Sequence, residues 1–443
     1  MERKPAIFIS IASYRDPELI PTLRDLIEKA SGCYRLAVAV CWQDEGDRQR
    51  FQQAGMTLCA AESTAEYDLL TWRYLETEIR MISLHYFFSK GACWARNQCE
   101  TLYREEEYVL QIDSHCRFVE GWDREMVAML EALKAQSEKP VLSSYPPGYV
   151  PGKEEEKTQA IFRLVFRGFS SEKIVQLTSV DFQQAAPVRG SYLAGGFIFA
   201  EGRFVKEVPN DPQIFFEGEE IAMAARAFTH GYDVWHPHKI VLWHFYGREE
   251  ASRIWGDHDD EAKKSGSVDR AWHERDSLSK KRVRTLLGME QAEPADMGRY
   301  GLGSRRTLAE FEAALGISFT KFAVLPEVLG TERVAWFPPP YGNWRERLSS
   351  HQQKTIGLTQ EEFTSPLADI TCLHIGVYSN ANDLLYKKIL SGEEINECLA
   401  GHDGGEIAID LDVTFPIMFT PAAIRFSAYD DSDGWSKVVE KAW

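Results

Sequence analysis

The sequence predicts an α/β domain followed by a smaller all-β unit. Three observations carry this. Buried-strand runs alternate with helical runs up to about residue 145, a helix joins the first two strands, and the texture changes at "VLPEVLG" (324–330). "AIFISIAS" (6–13) is a buried-strand run, and "PELIPTLRDLIEKA" (17–30) sets Leu19, Leu23, Leu26 and Ile27 at helical spacing. "YRLAVAVCW" (34–42) is a second buried strand. Strand, crossover helix and strand make a βαβ unit, which begins a parallel sheet covered by helices.

The alternation continues with a strand at "IRMISLHY" (79–86) and a loop opening into a helix at "SKGACWARNQCETLYR" (89–104). "YVLQI" (108–112) is a strand, "WDREMVAMLEALKA" (122–135) a helix and "VLSSY" (141–145) a strand. Residues 146–194 are less regular, with apolar runs that resemble hairpin strands. "LAGGFIFAEGRF" (193–204) sets paired glycines beside a strand, and 215–237 is a helix with an acidic start and a His-Gly-Tyr stop. "IVLWHF" (240–245) is a short strand, 249–290 is charged and helical, and 303–316 is a helix with Leu308, Phe311 and Leu315 on one side. The tail alternates in "EIAIDLDVTF" and "AIRFSAYDD", as a sandwich strand does. The expected domains are therefore 1–250, a helical extension at 251–323 that packs on it, and a β-rich domain at 324–443.

Hydrophobic residues make up 44% and charged residues 26% of the 443, as in a globular protein. No apolar run approaches the ~18–20 residues that span a bilayer, and "MERKPAIFISIAS" enters a strand pattern without a leader, so the expected location is cytoplasmic. The 8 cysteines form no CxxC pair and read as reduced thiols. With 50 basic against 67 acidic residues the net charge is −17, which disfavours nucleic acid as a partner. An anionic small molecule would need a few arginines or a bound cation to meet it. Nothing in the sequence fixes an oligomeric state.

That requirement points to "YVLQIDSHCRF" (108–118), a buried-strand run that ends in Asp-Ser-His. Alternation along a strand turns Asp113 and His115 to one face and Ser114 to the other. A carboxylate and an imidazole so placed can bind a divalent ion, and His244, near the end of a later short strand, is the natural third ligand. An oxygen with two nitrogens suits Mn²⁺ or a similar ion. The residues alone leave a turn or helix cap open for this segment.

"QIDSHCRFVEGWD", "FFEGEEIAMAARAFTHGYDVWHPHKIVLWHFYGR" and "YGLGSRRTLAEFEAALGISF" resemble the glycosyltransferase family of the Skp1-hydroxyproline and mucin-type polypeptide α-N-acetylglucosaminyltransferases, including its bacterial members. The similarity runs from "IFISIASYRDPEL" to about residue 320. More remotely, the layout is similar to the polypeptide N-acetylgalactosaminyltransferases, in which an Asp-x-His turn and a later His hold Mn²⁺. The resemblance implies a GT-A fold, the Rossmann-like fold of nucleotide-diphospho-sugar transferases. It implies Asp113, His115 and His244 as ligands of Mn²⁺ or another divalent cation, and a UDP-sugar, foremost UDP-GlcNAc, as donor. Transfer would retain the anomeric configuration, onto a hydroxyl of a protein or saccharide acceptor.

The same resemblance sets Glu219, with Glu220 second, beside donor sugar and acceptor; acidic residues also favour a helix's first turn. Arg96 is placed to clamp diphosphate or sugar hydroxyls, as a guanidinium fork suits, or else is a surface arginine, and Asn97 would share that site second to it. Ser114 sits within the metal turn. Gly195 and Gly196 let backbone approach the donor or else mark a bulge. Tyr14 and Arg15 follow the first strand, at the edge where ligands collect in open α/β sheets; the resemblance puts uridine there, and the residues alone leave a cap of the first helix open. Arg248, four residues after His244, would meet the diphosphate or else is a solvated arginine. His236 and His238 in "HPH" read as a structural turn, and "WGDHDDE" (255–261) as a solvated helix face. Two other functions fit parts of the pattern: a nucleotidyltransferase of similar fold, which would want more than Arg15 in its first loop, and a carbohydrate-binding protein with an inert transferase domain.

Overall fold

The computed structural model describes residues 4–443 apart from 249, 291–296, 364–365, 367–368 and 401–405. The chain divides into two compact units. The first holds 1–166, 177–315 and 334–339, and the second 167–176, 316–333 and 340–443.

The first unit opens as its sequence dictates. β1 (Ala6–Tyr14) leads through α1 (Leu19–Glu28) to β2 (Arg35–Asp44), which pairs parallel to it. Leu19, Leu23, Leu26 and Ile27 are the buried stripe of α1. A short α2 (Gln49–Gln53) precedes β3 (Thr57–Ser63), β4 (Asp68–Tyr74) and β5 (Thr77–His85). Of these, β5 lies parallel to β2, while β4 and β3 continue the sheet antiparallel to an edge. No strand is expected between 43 and 78; the structure adds two there.

α3 (Ala92–Glu100) leads to β6 (Tyr108–Asp113), parallel to β1, and to the short β7 (Cys116–Phe118). After α4 (Trp122–Leu133) comes β8 (Pro140–Ser143), then the hairpin of β9 (Phe162–Phe169) and β10 (Val175–Asp181), whose tip at 167–176 belongs to the second unit, and the two-residue β11 (Val188–Arg189). β12 (Phe197–Glu201) lies antiparallel between β6 and β8. α5 (Phe204–Glu207) and α6 (Glu219–Thr229) lead to β13 (Asp233–His236) and β14 (Leu242–His244). The sheet is thus mixed, ten strands in the order β11-β13-β8-β12-β6-β1-β2-β5-β4-β3, with β1 and β6 at its centre. α7 (Ile254–Asp257), α8 (Asp260–Lys264), α9 (Trp272–Leu286) and α10 (Leu308–Leu315) complete the unit. Helices bearing Leu23, Trp122 and Met126 cover the sheet core of Ile9, Val40, Leu110 and Phe199.

The second unit is almost all β. β15 (Ile317–Ser318), β16 (Ala323–Val324), β17 (Ser349–Thr359) and β20 (Glu406–Pro416) form one sheet, with α11 (Pro326–Leu329) after β16. The other sheet holds β18 (Cys372–Ser379), β19 (Leu384–Ser391), β21 (Pro421–Asp430), β22 (Gly434–Trp435) and β23 (Val439–Ala442), and α12 (Gly392–Ala400) follows β19. Ile407, Ile409, Leu411, Val413 and Phe415 of one sheet share a core with Leu373, Ile375, Ile424 and Phe426 of the other. The expected class, α/β with a C-terminal sandwich-like β unit, is what the structure has. Among the described residues no helix is long and apolar enough to cross a membrane. All eight cysteines are free thiols, four of them buried.

Candidate metal centre

β6 ends at Asp113, beside Ala12 of β1, and the chain bends through Ser114 and His115 before β7. Thr22 of α1 fixes that bend: its hydroxyl donates to the Ser114 carbonyl at 2.9 Å and accepts the Cys116 N–H at 3.0 Å. β14 pairs antiparallel with β7 and sets His244 opposite Cys116, while the Phe245 N–H donates to the His115 carbonyl at 3.0 Å. Residues far apart in sequence are thereby adjacent. The two imidazoles meet edge to face with centroids 4.5 Å apart, and His244 Nε2 stands 3.2 Å from Asp113 Oδ2.

One donor atom each from Asp113, His115 and His244 fall within 4.8 Å of one another. Ligand atoms about 2.1 Å from one ion stand no more than about 4.2 Å apart, so shifts of a few tenths of an ångström bring all three onto a shared cation. The side chain of Asp113 is 26% exposed, which leaves the set open on one side. Burial pushes the Asp113 carboxyl up, but the His244 hydrogen bond and the Arg96 charge outweigh it and hold the group well below the usual carboxylate range. Burial pushes His244 down, with Asp113 opposing, which favours the neutral imidazole that ligates. Among the described residues its Nδ1 is buried without a partner.

Alternation predicts Ser114 on the face opposite His115. The structure differs, because the strand stops at Asp113: Ser114 Oγ and His115 Nδ1 both reach Asp16 Oδ2, at 2.6 and 2.8 Å. Arg248 adds Nη2 to the same oxygen at 3.1 Å and stands 3.2 Å from His115 Nε2 through Nη1. A guanidinium only donates, so Nε2 must accept and the ring proton sits on Nδ1, facing Asp16. That tautomer puts the His115 lone pair on Nε2, the nitrogen away from Asp16, as in carboxylate–histidine–metal arrangements, where Arg248 now donates to it and would have to give way to a cation. Asp16 is 1% exposed, and although burial pushes its carboxyl up, His115 and Arg248 bring it below its ordinary value. It was not among the residues expected from sequence.

Arg96, on α3 and 3% exposed, bridges two carboxylates: Nη1 donates to Glu219 Oε2 at 2.6 Å and Nη2 to Asp113 Oδ1 at 3.0 Å. One buried cation thereby compensates two carboxylates, and without it the buried Glu219 would be left uncompensated. Cys93 also donates to Glu219, through Sγ at 2.9 Å. Glu219 and Glu220 open α6 behind Gly218, whose φ of 91° suits glycine. Glu220 accepts the Tyr145 hydroxyl at 2.6 Å and the Gly195 N–H at 3.0 Å, and burial pushes its carboxyl up to about 7. The paired glycines answer to close approach: a Cβ on Gly196 would stand 2.5 Å from Asp113 Oδ2, and one on Gly195 would collide with the Glu219 carboxylate.

Tyr14 and Arg15 lie at the exit of β1, where both donate to Asp257, at 2.8 and 2.7 Å. Arg15 takes φ +46°, a strained value for a side-chain-bearing residue, and stacks 4.3 Å from the Tyr86 ring centroid. Asp257 and the fully buried His258 therefore pack on the sheet edge, where sequence predicts a solvated face. Asn97 points elsewhere: its amide donates to the Asn210 carbonyl at 2.9 Å and approaches Tyr300. His236 is buried against the Ser143 carbonyl, as a structural turn requires. Asp113, Ser114, His115, His244, Arg248, Arg96, Glu219, Glu220, Gly195 and Gly196 thus form one continuous site, with Tyr14 and Arg15 a separate cluster at the end of β1.

The family model described as Glycosyltransferase (GlcNAc) matches residues 6–321. No curated protein matches the chain. Among solved structures, the crystal structure of GalNAc-T7 with UDP, GalNAc and Mn²⁺ is similar over 70% of this chain and 57% of its own, at 11% identity and a TM-score of 0.43. The chain thus spans little more than half of that protein's length. S. aureus TarS 1–349 is similar over 67% of this chain and 77% of its own, at 12% identity and a TM-score of 0.34.

Proposed function

The chain belongs to the GlcNAc glycosyltransferase family, and on that premise we propose that it is a GT-A enzyme that moves GlcNAc from UDP-GlcNAc to a hydroxyl of a protein or saccharide acceptor, with retention at the anomeric carbon. The observation that carries the reading is the convergence of Asp113, His115 and His244 within 4.8 Å. One carboxylate and two neutral imidazoles are a donor set suited to Mn²⁺ or a similar ion. When bound there, such an ion supplies Lewis-acid neutralisation of the leaving diphosphate.

The chain's own residues do the rest. Asp16 holds the His115 tautomer, and Arg248 offers its fork to the same space. Arg96 keeps Asp113 charged and aimed, and Glu219 keeps Arg96 in place. Gly195 and Gly196 let the backbone of the β12 entrance stand close to a bound sugar, with Glu220 and Tyr145 beneath. Tyr14 and Arg15 hold the uracil end of the donor, and the residues 1–250 that carry these groups act as the catalytic domain. Such fixed dipoles and charges explain how a chain of net charge −17 works on an anionic donor.

The test is a screen of UDP-sugars with and without Mn²⁺, scored by UDP release and followed by mass spectrometry of labelled acceptors. UDP-GlcNAc should be consumed first among the donors, and only with the metal. Release of pyrophosphate from UTP and sugar phosphate would instead identify a nucleotidyltransferase, and metal-independent glycan binding without turnover an inert carbohydrate-binding protein.

A further inference from the structure

Against a net charge of −17, Lys90, Arg270, Arg275, Lys281 and Arg282 surround a single cleft of about 640 Å³ in the first unit. That volume is of the size that holds a ligand. Arg282 pairs with Asp211 at 2.6 Å and Arg275 with Asp269. Among the described residues no carboxylate pairs with Lys90, Arg270 or Lys281; Lys90 rests 5.7 Å from the Trp94 ring centroid. Five cations against two anions leave a local excess of positive charge where the rest of the chain repels anions.

The walls are not uniformly polar. Pro212, Phe215 and Leu278 line the same cleft, and Leu278 is 52% exposed. α9 sets Arg275, Leu278 and Arg282 at three- and four-residue steps, so an apolar side chain stands between two cations on one helix face. A phosphate polymer brings charge but nothing apolar to place against Leu278, whereas an acidic peptide brings both. The cleft also adjoins the catalytic elements. The Phe215 N–H is held by Ser279 Oγ at 2.9 Å and its carbonyl accepts the Ala92 N–H that opens α3. Phe215 precedes Glu219 by four residues, at most ~14 Å of extended chain.

We propose that this cleft is a docking site for an acidic peptide segment of the acceptor, outside the metal centre. The inference rests on the transferase reading for the word acceptor, but not for the binding itself. The test is fluorescence anisotropy of a labelled Glu-Leu-Glu-Glu-Leu-Glu peptide and its glutamine counterpart with the full chain, without donor or metal. The acidic peptide should bind and the glutamine peptide should not. Arg270→Glu with Lys281→Glu should weaken binding by about tenfold or more, and raised salt should weaken it as well. Leu278→Ser should weaken it severalfold. The charge-reversed protein should hydrolyse UDP-GlcNAc with Mn²⁺ at the unaltered rate, which shows that it is folded.

Equal binding of the two peptides, or unchanged affinity after charge reversal, would overturn the proposal. So would displacement by polyphosphate together with indifference to Leu278→Ser, which would reassign the cleft to a phosphate polymer. Peptide binding by a chain that hydrolyses no UDP-sugar would uphold the cleft and remove the transferase reading alone.

Discussion

Asp16 touches no proposed substrate, yet it decides which nitrogen of His115 carries the proton. Replacing it with Asn keeps an acceptor oxygen and the start of α1 while removing the charge. Asp16→Asn should weaken Mn²⁺ binding by about 10–100-fold, read by titration of the free ion without donor; equal affinity would show that Asp16 only caps α1. Glu220 gives a prediction of opposite kind. Its carboxyl is raised from 4.5 to about 7 in the folded protein, so its protonated form is favoured by folding. The stability it contributes is complete below its unfolded value and is lost as pH rises to about 7. Glu220→Gln should remove that decline, at most about 3 kcal/mol for a half-buried carboxyl, from denaturant midpoints measured across the window; an unaltered slope would assign it to other groups.

The convergence of Asp113, His115 and His244 was legible at this scale because a strand ending in Asp-x-His has a periodicity to argue from, and because the family resemblance points to the same three residues. Asp16 was not. In "SYRDPEL" it looks like a helix-start residue, and it is one, since Oδ1 accepts the Glu18 N–H at 3.0 Å. Its other oxygen acquires a role only when β6 lies alongside β1. Tyr145 under Glu220, and Asp257 under Tyr14 and Arg15, depend in the same way on distant segments folding together.

At the scale of elements, the strands of the centre were readable from long apolar runs and the helices from their stripes. β3 was not, because it is an edge strand with nearly every side chain exposed and thus no buried face to mark. β4 does alternate, with Leu70, Trp72 and Tyr74 buried, and a reading weighted toward continuous apolar runs passes over it. The paired glycines were ambiguous until β12 lay against β6. Sequence spacing permits either a bulge or a close approach, and only the pairing shows that Asp113 and Glu219 occupy the space a Cβ would need. Gly196→Ala must therefore push the Asp113 carboxylate aside, at a cost of about 1–3 kcal/mol. The expected outcome is weaker Mn²⁺ binding by at least tenfold with an unaltered circular dichroism spectrum. Full affinity would mean that the β12 entrance yields instead of the carboxylate.

At the scale of the molecule, each unit owns a core, and the candidate metal centre lies wholly within the first. The tail's alternation announced the second core plainly, since Ile407 through Phe415 are buried at every other position. Phe426, fully buried there, offers a clean separation. Phe426→Ala should cost the second unit about 3–5 kcal/mol and lower its unfolding transition, while Mn²⁺ affinity stays as it was; a parallel loss of metal binding would show that the two units act as one. No sequence feature disclosed the cationic cleft, because its members are scattered among acidic neighbours and only the packing of α9 collects them.

The proposed activity depends on one cation held by residues from two distant parts of the chain, and UDP release from UDP-GlcNAc by EDTA-treated protein and its His244→Ala variant tests it most directly. Added Mn²⁺ should restore release by the unaltered protein. The variant, with the same thermal midpoint, should fall at least tenfold short at any metal concentration. Release that ignores the metal, or a variant as active as its parent, would contradict the account.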